Sequence, residues 1–129
     1  MQYIFDIETD GLLEDLTKIH CLALLDMDTG EIISCPPDRH AFVMTIEEGL
    51  RHLMDAELIV GHNIIKFDIP AIQKLYPWFK PKGMVRDTII LTRLIYTDLK
   101  ERDFAYRNKN PKFPKNMIGK HSLEAWGHR

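Results

Sequence analysis

The order of apolar and polar residues predicts three β-strands near the start of the chain. The predicted strands cover residues 2–7, 19–26 and 31–35. The Asp-Gly pair at 10–11 marks a turn after the first strand. An Asp-Thr-Gly turn at 28–30 joins the other two strands, which together predict a β-hairpin that ends at the proline pair 36–37.

Further along, short apolar strands alternate with segments of helical periodicity. Strands are predicted at residues 58–60 and 85–87, and helices at 45–54, 69–75, 88–96 and from 122 onward. Thr45, followed by two glutamates, is a typical helix N-cap. Ile90, Leu91, Leu94 and Ile95 share one face of the third helix. Three antiparallel strands followed by alternating strands and helices indicate an α/β fold with a mixed sheet.

Residues 100–120 interrupt this alternation. They are basic and contain Pro111, Pro114 and Gly119. We therefore expect a basic loop there, before a final helix capped at Ser122. With 129 residues, the whole chain is expected to form one domain or part of one.

The composition is that of a soluble globular chain, with 45% hydrophobic residues. The longest apolar runs are four or five residues, too short for a membrane-spanning helix, and the N-terminus has no signal-peptide pattern. Cys21 and Cys35 lack the spacing of a CxxC motif. We expect free buried thiols rather than a disulfide or a zinc site, and a cytoplasmic protein without a membrane partner.

The net charge of the chain is −2, but its acidic and basic residues are unevenly distributed along the sequence. Residues 1–99 contain 9 Lys/Arg and 16 Asp/Glu, whereas residues 100–129 contain 8 Lys/Arg and 3 Asp/Glu. An acidic body with a basic segment suits metal binding in one place and phosphate contact in another. The alternative for the basic segment is a solvated loop without a ligand, and the sequence leaves both open.

Two acids lie one residue apart at the end of the first strand. Because strand side chains alternate between the two faces, Asp6 and Glu8 are expected to point the same way. The two carboxylates repel each other unless a cation lies between them. The alternative is an exposed strand end with two solvated acids. A second acidic element favours the cation, because Asp68 ends the segment 62–68 that follows the strand 58–61.

Asp6, Asp68 and Asp87 all lie at or just past strand ends, where open α/β sheets form ligand sites. Asp6, Glu8 and Asp68 are therefore candidate ligands for a divalent metal, and their oxygens suit Mg²⁺ or Mn²⁺ better than zinc. Two such ions, about 3.5–4 Å apart, can activate water and stabilise the leaving oxygen of a phosphodiester. The sequence has neither a GxxxxGK phosphate loop nor a GxSxG element. Two-metal phosphodiester cleavage is the chemistry these residues suit best.

The residues around these acids resemble two motifs of the DEDD 3′–5′ exonucleases. Phe-Asp-Ile-Glu-Thr-Asp-Gly at 5–11 resembles the first motif, and Asn-Ile-Ile-Lys-Phe-Asp at 63–68 resembles the second, Asn-x-x-x-(Phe/Tyr)-Asp. Essentially the whole chain resembles the N-terminal proofreading domain of phage replicative DNA polymerases of family A, podovirus type. The supporting segments are 17–21, 87–95 and 121–127.

This resemblance implies a ribonuclease H-like mixed sheet with flanking helices, incomplete on its C-terminal side. It implies that Asp6, Glu8 and Asp68 are catalytic and hold Mg²⁺ or Mn²⁺, two ions in the complete site, to cleave single-stranded DNA from its 3′ end. It also implies that Thr9, Asp10 and Gly11 lie along the 3′-terminal nucleotide, and that Leu12 and Leu13 wedge against the terminal bases. Asn63 and Phe67 would position the DNA strand.

Two further residues, His62 and Asp87, are expected near the site. Asp87 is not one of the four acids that define the family. For His62, a hydrogen bond to the backbone at the strand end is favoured over a catalytic role.

The sequence departs from the family in the third motif, Tyr-x-x-x-Asp or His-x-x-x-x-Asp, because no residue up to Arg129 can be assigned to it. We therefore expect a site without its fourth carboxylate, and weak or absent cleavage by this chain alone. One alternative is a non-catalytic first piece of a split polymerase that assembles with a second polymerase chain. Another is a freestanding RNA or oligonucleotide exonuclease, over which residues 87–95 and 121–127 favour the polymerase type.

Overall fold

A computed structural model describes residues 1–37 and 43–129 of the chain. Within these residues, five strands form one mixed sheet. The strands are β1 (Gln2–Thr9), β2 (Ile19–Asp26), β3 (Ile32–Cys35), β4 (Leu58–Gly61) and β5 (Met84–Asp87). Their order is β3-β2-β1-β4-β5; β2 is antiparallel to β1 and β3, whereas β1, β4 and β5 are parallel. The predicted α/β fold, mixed sheet and hairpin are confirmed.

The helices begin largely where the capping residues predict. They are α1 (Ile46–Asp55), α2 (Ile69–Leu75), α3 (Thr88–Ile95), α4 (Leu99–Lys109) and α5 (Leu123–His128), with a π-helical turn at Ile64–Asp68 and a 3₁₀ turn at Lys115–Met117. The Thr45 hydroxyl accepts from the Glu48 amide at 3.1 Å, and the Glu48 carboxylate accepts from the Thr45 amide at 3.1 Å. This capping box fixes the start of α1. None of the helices in the described part of the chain has the length and apolar character needed to cross a bilayer.

The chain divides into two compact units, Met1–Asp87 and Thr88–Arg129. In the first unit the strand period of two sets the core, because the apolar residues at alternate positions of β1 are buried against α1 and β2. Ile4, Asp6 and Glu8 point to the other face and are exposed.

The second unit has a smaller core of its own. Phe113, Met117 and Ala125 are buried there, with Tyr106 and Ile118 packed against them. No residue of α3 is buried, so the apolar face predicted for that helix is largely exposed. The exposed fractions of the side chains on this face are 41% for Ile90, 39% for Leu91, 70% for Leu94 and 67% for Ile95.

The basic loop predicted at residues 100–120 is wrong, because α4 and the 3₁₀ turn occupy most of that segment. α4 lacks the apolar periodicity that signals a helix, since its buried residues are Leu99 and the acid Asp103. The Asp103 carboxylate accepts hydrogen bonds from the Gly119 amide and the Arg129 side chain. These polar contacts, together with the packing of Tyr106 against Phe113, hold α4 within its unit.

Both cysteines are free, as predicted. Cys35 is buried and Cys21 is half-buried. The pKa of the Cys35 thiol is raised to about 11. The main cause is burial, and smaller contributions come from electrostatic interaction with the nearby Glu48 and Cys21. Cys35 is therefore a protonated thiol at neutral pH and behaves as a small core residue.

Gly83→Ala is expected to destabilise the first unit. Gly83 precedes β5, and a Cβ there would lie 2.2 Å from the Ala56 carbonyl oxygen and 2.4 Å from that of Glu57. The Glu57 oxygen also accepts from the Met84 amide at 2.8 Å, so it cannot move without loosening β5. We expect urea titration to show a loss of about 2–4 kcal/mol in the free energy of unfolding. The control is Gly127→Ala, whose Cβ would meet nothing within 4 Å; equal stability of the two variants would contradict the prediction.

Candidate functional site

The acid pair lies on the face of β1 opposite the core. Asp6 and Glu8 are both exposed there, which confirms their predicted common orientation. Partial burial of the Asp6 carboxyl group, followed by the nearby Glu8 carboxylate, raises the pKa of Asp6. A hydrogen bond from the Ile7 amide acts in the opposite direction and lowers this pKa. The pairing of β1 with β2 also becomes irregular between Glu8 and Thr9, and such irregularities often lie beside active sites. The strand end therefore combines two neighbouring acids with an irregular backbone.

β4 ends beside this pair. Because Ile4 pairs with Val60 in parallel strands, the last residue of β4, Gly61, lies next to Phe5. A Cβ on Gly61 would lie 3.0 Å from the Phe5 carbonyl oxygen and 2.2 Å from Ile64 Cγ2. Glycine permits this close approach, which lets the chain turn sharply after the strand.

The turn after β4 has an uncommon backbone. Asn63 has a φ of 64° and is the one non-glycine residue with positive φ in the part of the chain that the structure describes. It is followed by the π-helical turn, a rare element that is frequent at functional sites. Asp87 holds this turn, since its Oδ1 accepts from the Asn63 amide at 2.8 Å and its Oδ2 from the Ile65 amide at 3.0 Å. Asp87 thus fixes the backbone of the turn that ends in Asp68, and its place in a functional site stays a prediction.

Asp68 ends the π-helical turn and is only 5% exposed. Its Oδ2 atom has no hydrogen-bond partner among residues 1–37 and 43–129. Burial of the Asp68 carboxyl group, followed by the nearby Asp6 carboxylate, raises the pKa of Asp68 to about 7. The Asp87 carboxylate raises this pKa further, whereas hydrogen bonds from the Ile7 and Asp68 amides lower it. A buried carboxyl with an unpaired oxygen destabilises the fold. Such groups are concentrated at functional sites.

The donor set fits a hard divalent cation. Asp6 raises the pKa of Asp68, and Glu8 raises that of Asp6, so a cation among the three carboxylates would relieve both repulsions. It would also give Asp68 Oδ2 a partner, and carboxylate oxygens are the usual ligands of Mg²⁺ and Mn²⁺. The described residues contain no group of three His, Cys, Asp or Glu side chains already arranged around a metal position. Binding would therefore require the carboxylates to draw together.

The residues that follow β1 form a closed loop. The Thr9 hydroxyl donates to the Gly11 carbonyl at 2.8 Å. The Asp10 carboxylate accepts from the Thr17 amide at 2.8 Å, the Lys18 amide at 3.0 Å and the Thr17 hydroxyl. The Thr17 hydroxyl first, and then the two amides, lower the pKa of Asp10. Asp10 therefore fixes the loop, and its contact with DNA stays a prediction.

The same loop is held from α2 by a residue that the sequence did not point to. The Lys74 ammonium donates to the Leu13 carbonyl at 3.0 Å and to the Glu14 carbonyl at 2.9 Å. No sequence pattern marks this contact, because backbone oxygens far along the chain are its acceptors. Leu13 packs against the core, whereas Leu12 is 74% exposed. Leu12 is the better placed of the two for an apolar contact with a ligand.

The remaining predicted residues share the turn that carries Asp68. His62 follows β4 directly and is half-buried, and Phe67 packs against the core of the first unit. The Phe67 amide donates to the Asn63 carbonyl at 3.1 Å. The structure thus brings Asn63, Phe67 and Asp68 into one compact element, while the roles of His62, Asn63 and Phe67 toward DNA stay predictions.

Comparison with known proteins agrees with this architecture. The sequence pattern of the RNase H superfamily matches residues 3–116. Over 133 residues the chain is 37% identical to the DNA-directed DNA polymerases of Escherichia phage T7 and of Enterobacteria phage T3. Each match covers 98% of this chain but only 18% of the polymerase, so the chain spans less than a fifth of the length of these relatives. The predicted fold and the resemblance to phage polymerases are confirmed, and the chain belongs to the RNase H superfamily.

Proposed function

We propose that this chain is a 3′–5′ exonuclease domain of a phage DNA polymerase, of the proofreading type, acting on the 3′ end of single-stranded DNA. The observation that carries the proposal is the buried Asp68 carboxyl, with an unpaired oxygen, electrostatically coupled to Asp6. Membership of the RNase H superfamily and the similarity to two phage polymerases support it. The protein would act in the cytoplasm of the infected host.

Asp6, Glu8 and Asp68 would hold the divalent metal of this site. Bound Mg²⁺ or Mn²⁺ would activate a water and stabilise the leaving oxygen of the phosphodiester. Asp68 is partly protonated near neutral pH because of its raised pKa, so its proton must pass to solvent before the carboxylate can act as a ligand. Asp87 would keep Asp68 in place through the Asn63 and Ile65 amides.

The closed loop after β1 is the proposed surface for the terminal nucleotide. The hydrogen bonds of Thr9 and Asp10 already fix its backbone, so little ordering is needed when DNA binds. Leu12 projects into solvent and would pack against a terminal base. Asn63 and Phe67 would position the strand from the neighbouring turn.

We propose that cleavage by this chain alone is weak. In the DEDD exonucleases, the third motif supplies a fourth carboxylate and a Tyr or His that orients the attacking water. No residue of this sequence is assigned to that motif. The three carboxylates that are present also do not form a ready metal cluster within the described residues. Poor positioning of catalytic groups lowers rates steeply.

A second candidate function is that of a non-catalytic piece of a split polymerase, which assembles with a second polymerase chain. The exposed apolar face of α3 favours it, because Leu94 and Ile95 are 70% and 67% exposed. Contiguous apolar surface of this kind often marks a protein–protein contact. This candidate and the first differ in whether the chain cleaves DNA without a partner.

Incubation with a 5′-labelled single-stranded oligonucleotide and Mn²⁺ tests the proposal. We expect a slow ladder of shortened products, and at least about a hundredfold loss of rate in Asp6→Ala. Asp28→Asn is the matched control, because this exposed carboxyl lies in the β2–β3 turn, at the opposite end of β1 from Glu8. It should cleave like the wild type.

The partner requirement is tested by adding a polypeptide that carries the third motif. Products that form only in the mixture would support the split-polymerase candidate. Metal binding without cleavage in either setting would overturn the exonuclease proposal for this chain.

A further inference from the structure

The two units carry opposite charge. Met1–Asp87 contains 8 Lys/Arg and 15 Asp/Glu, a net charge of −7, and Thr88–Arg129 contains 9 Lys/Arg and 4 Asp/Glu, a net charge of +5. Of the nine basic residues of the second unit, four lie on α4 and one, Lys115, lies on the 3₁₀ turn. An ordered surface needs less ordering when it binds a polyanion than a loop does.

Two of the four acids of the second unit are paired with arginines of the same unit. Asp103 is buried and paired with Arg129 at 2.6 Å, and Asp98 is paired with Arg102 at 2.8 Å. Five exposed lysines form no ion pair within residues 1–37 and 43–129. They are Lys100, Lys109, Lys112, Lys115 and Lys120. Their charge is available to an external anion.

Two of these lysines lie on neighbouring backbone segments. A Cβ on Gly119 would lie 3.3 Å from Lys100 Cβ, so α4 packs beside the turn that leads into Lys120. The Gly119 amide donates to Asp103 at 2.8 Å, and the Lys120 carbonyl accepts from Arg129 at 2.9 Å. The turn is therefore fixed on both sides, and it presents Lys120 close to α4.

An aromatic side chain lies on the same face of α4 as Lys100. Phe104 follows it by four residues, about one helical turn, and is 52% exposed. The core of the second unit does not include Phe104. Cationic groups that contact phosphates, beside an aromatic ring that stacks on a base, are the combination used by proteins that bind single strands.

We propose that the basic face of the second unit, defined by Lys100, Phe104 and Lys120, binds single-stranded nucleic acid. The lysines would contact phosphates, and Phe104 would stack on an unpaired base. A duplex offers phosphates but no unstacked base, so a single strand uses the whole face. The face includes none of the acids of the candidate metal centre. The proposal can therefore fail or succeed independently of the exonuclease proposal.

Fluorescence anisotropy of a labelled oligothymidylate in EDTA tests the proposal without cleavage. Lys100→Gln/Lys120→Gln is expected to raise the Kd about tenfold at low salt and to reduce the slope of log Kd against log salt by about 1.4. Lys80→Gln/Lys82→Gln is the control, because it removes the same charge from exposed positions of the first unit. It should bind like the wild type.

The ring is tested separately from the charge. Phe104→Ala is expected to raise the Kd for oligothymidylate at least about fivefold and to leave the Kd for an abasic strand unchanged. Thermal unfolding of each variant should match the wild type. Equal weakening by the control pair, an unchanged Kd for Phe104→Ala, or equally strong binding of heparin would overturn the proposal. Tighter binding of duplex than of single strand would also overturn it.

Discussion

Replacing Asp103 with alanine is expected to lower the free energy of unfolding of the second unit by about 3–5 kcal/mol. The Asp103 carboxylate accepts from Arg129 Nε at 2.8 Å, from Arg129 Nη2 at 2.6 Å and from the Gly119 amide at 2.8 Å. Its side chain is 3% exposed and that of Arg129 is 12% exposed. Alanine would leave the guanidinium nearly buried without its counter-charge, and an uncompensated buried charge is strongly destabilising.

Asp98→Ala is the matched control for this prediction. It also breaks an Asp–Arg pair of α4, but the side chains of Asp98 and Arg102 are 54% and 61% exposed. Water replaces an exposed pair with little loss, so this variant should change stability far less. Urea unfolding in a Trp78→Phe background leaves Trp126, which lies 4.6 Å from the Arg129 guanidinium, as the fluorescent reporter. Equal losses in the two variants would contradict the prediction.

The pH dependence of the same pair has a definite sign. The Arg129 hydrogen bond is the largest influence on Asp103 and lowers its pKa in the folded chain below the ordinary value of 3.8. Stability from a carboxylate with a lowered pKa is present above that ordinary value and is lost as the pH falls through the folded pKa. The advantage of the wild type over Asp103→Ala should therefore hold at neutral pH and shrink below about pH 4.

Local sequence signals predicted the elements that depend on neighbouring residues. The strand period of two placed Asp6 and Glu8 on one face, because alternation is a property of the strand itself. Thr45 and Glu48 are three residues apart, so their capping box is visible in the sequence. The motif that ends in Asp68 was recognised by a different route, its resemblance to the second exonuclease motif.

Contacts between distant residues could not be predicted in this manner. Asp87 holds the turn at Asn63 from 24 residues away, through backbone amides that any residue carries. Asp103 and Arg129 are 26 residues apart, so no local pattern shows their contact. The buried residues of α4, Leu99 and Asp103, also do not form the apolar stripe by which a helix is recognised. Nor does the motif spacing show that the three candidate ligands do not form a metal cluster within the described residues.

Asp68→Asn is expected to stabilise the metal-free protein at neutral pH, although it removes a proposed metal ligand. Burial and the Asp6 carboxylate raise the pKa of Asp68 from 3.8 to about 7 in the folded chain. The folded state therefore holds the proton more tightly than the unfolded state. Stability falls as the pH rises from about 4 to about 7, and it stays reduced above that range. Asparagine has a similar shape and cannot ionise, so it removes this loss.

Urea titrations in EDTA across this range measure the effect. Asp68→Asn should exceed the wild type by about 1–3 kcal/mol at about pH 8, and the difference should approach zero at about pH 4. Asp28→Asn serves as control, because it makes the same substitution at an exposed turn position, and its stability should match that of the wild type. A variant that is less stable than the wild type at every pH would contradict the raised pKa of Asp68.

Adding Mg²⁺ or Mn²⁺ should reverse the order of stability. A metal that binds only the folded state stabilises it by about 2.7 kcal/mol at a hundredfold excess over Kd. The wild type should gain this stability above pH 7, where Asp68 is ionised, while Asp68→Asn should gain little because a ligand is missing. An acid that is merely buried would leave the variant more stable in both conditions. If the wild type shows the pH profile in EDTA but no gain with metal, the raised pKa stands and the metal site is refuted.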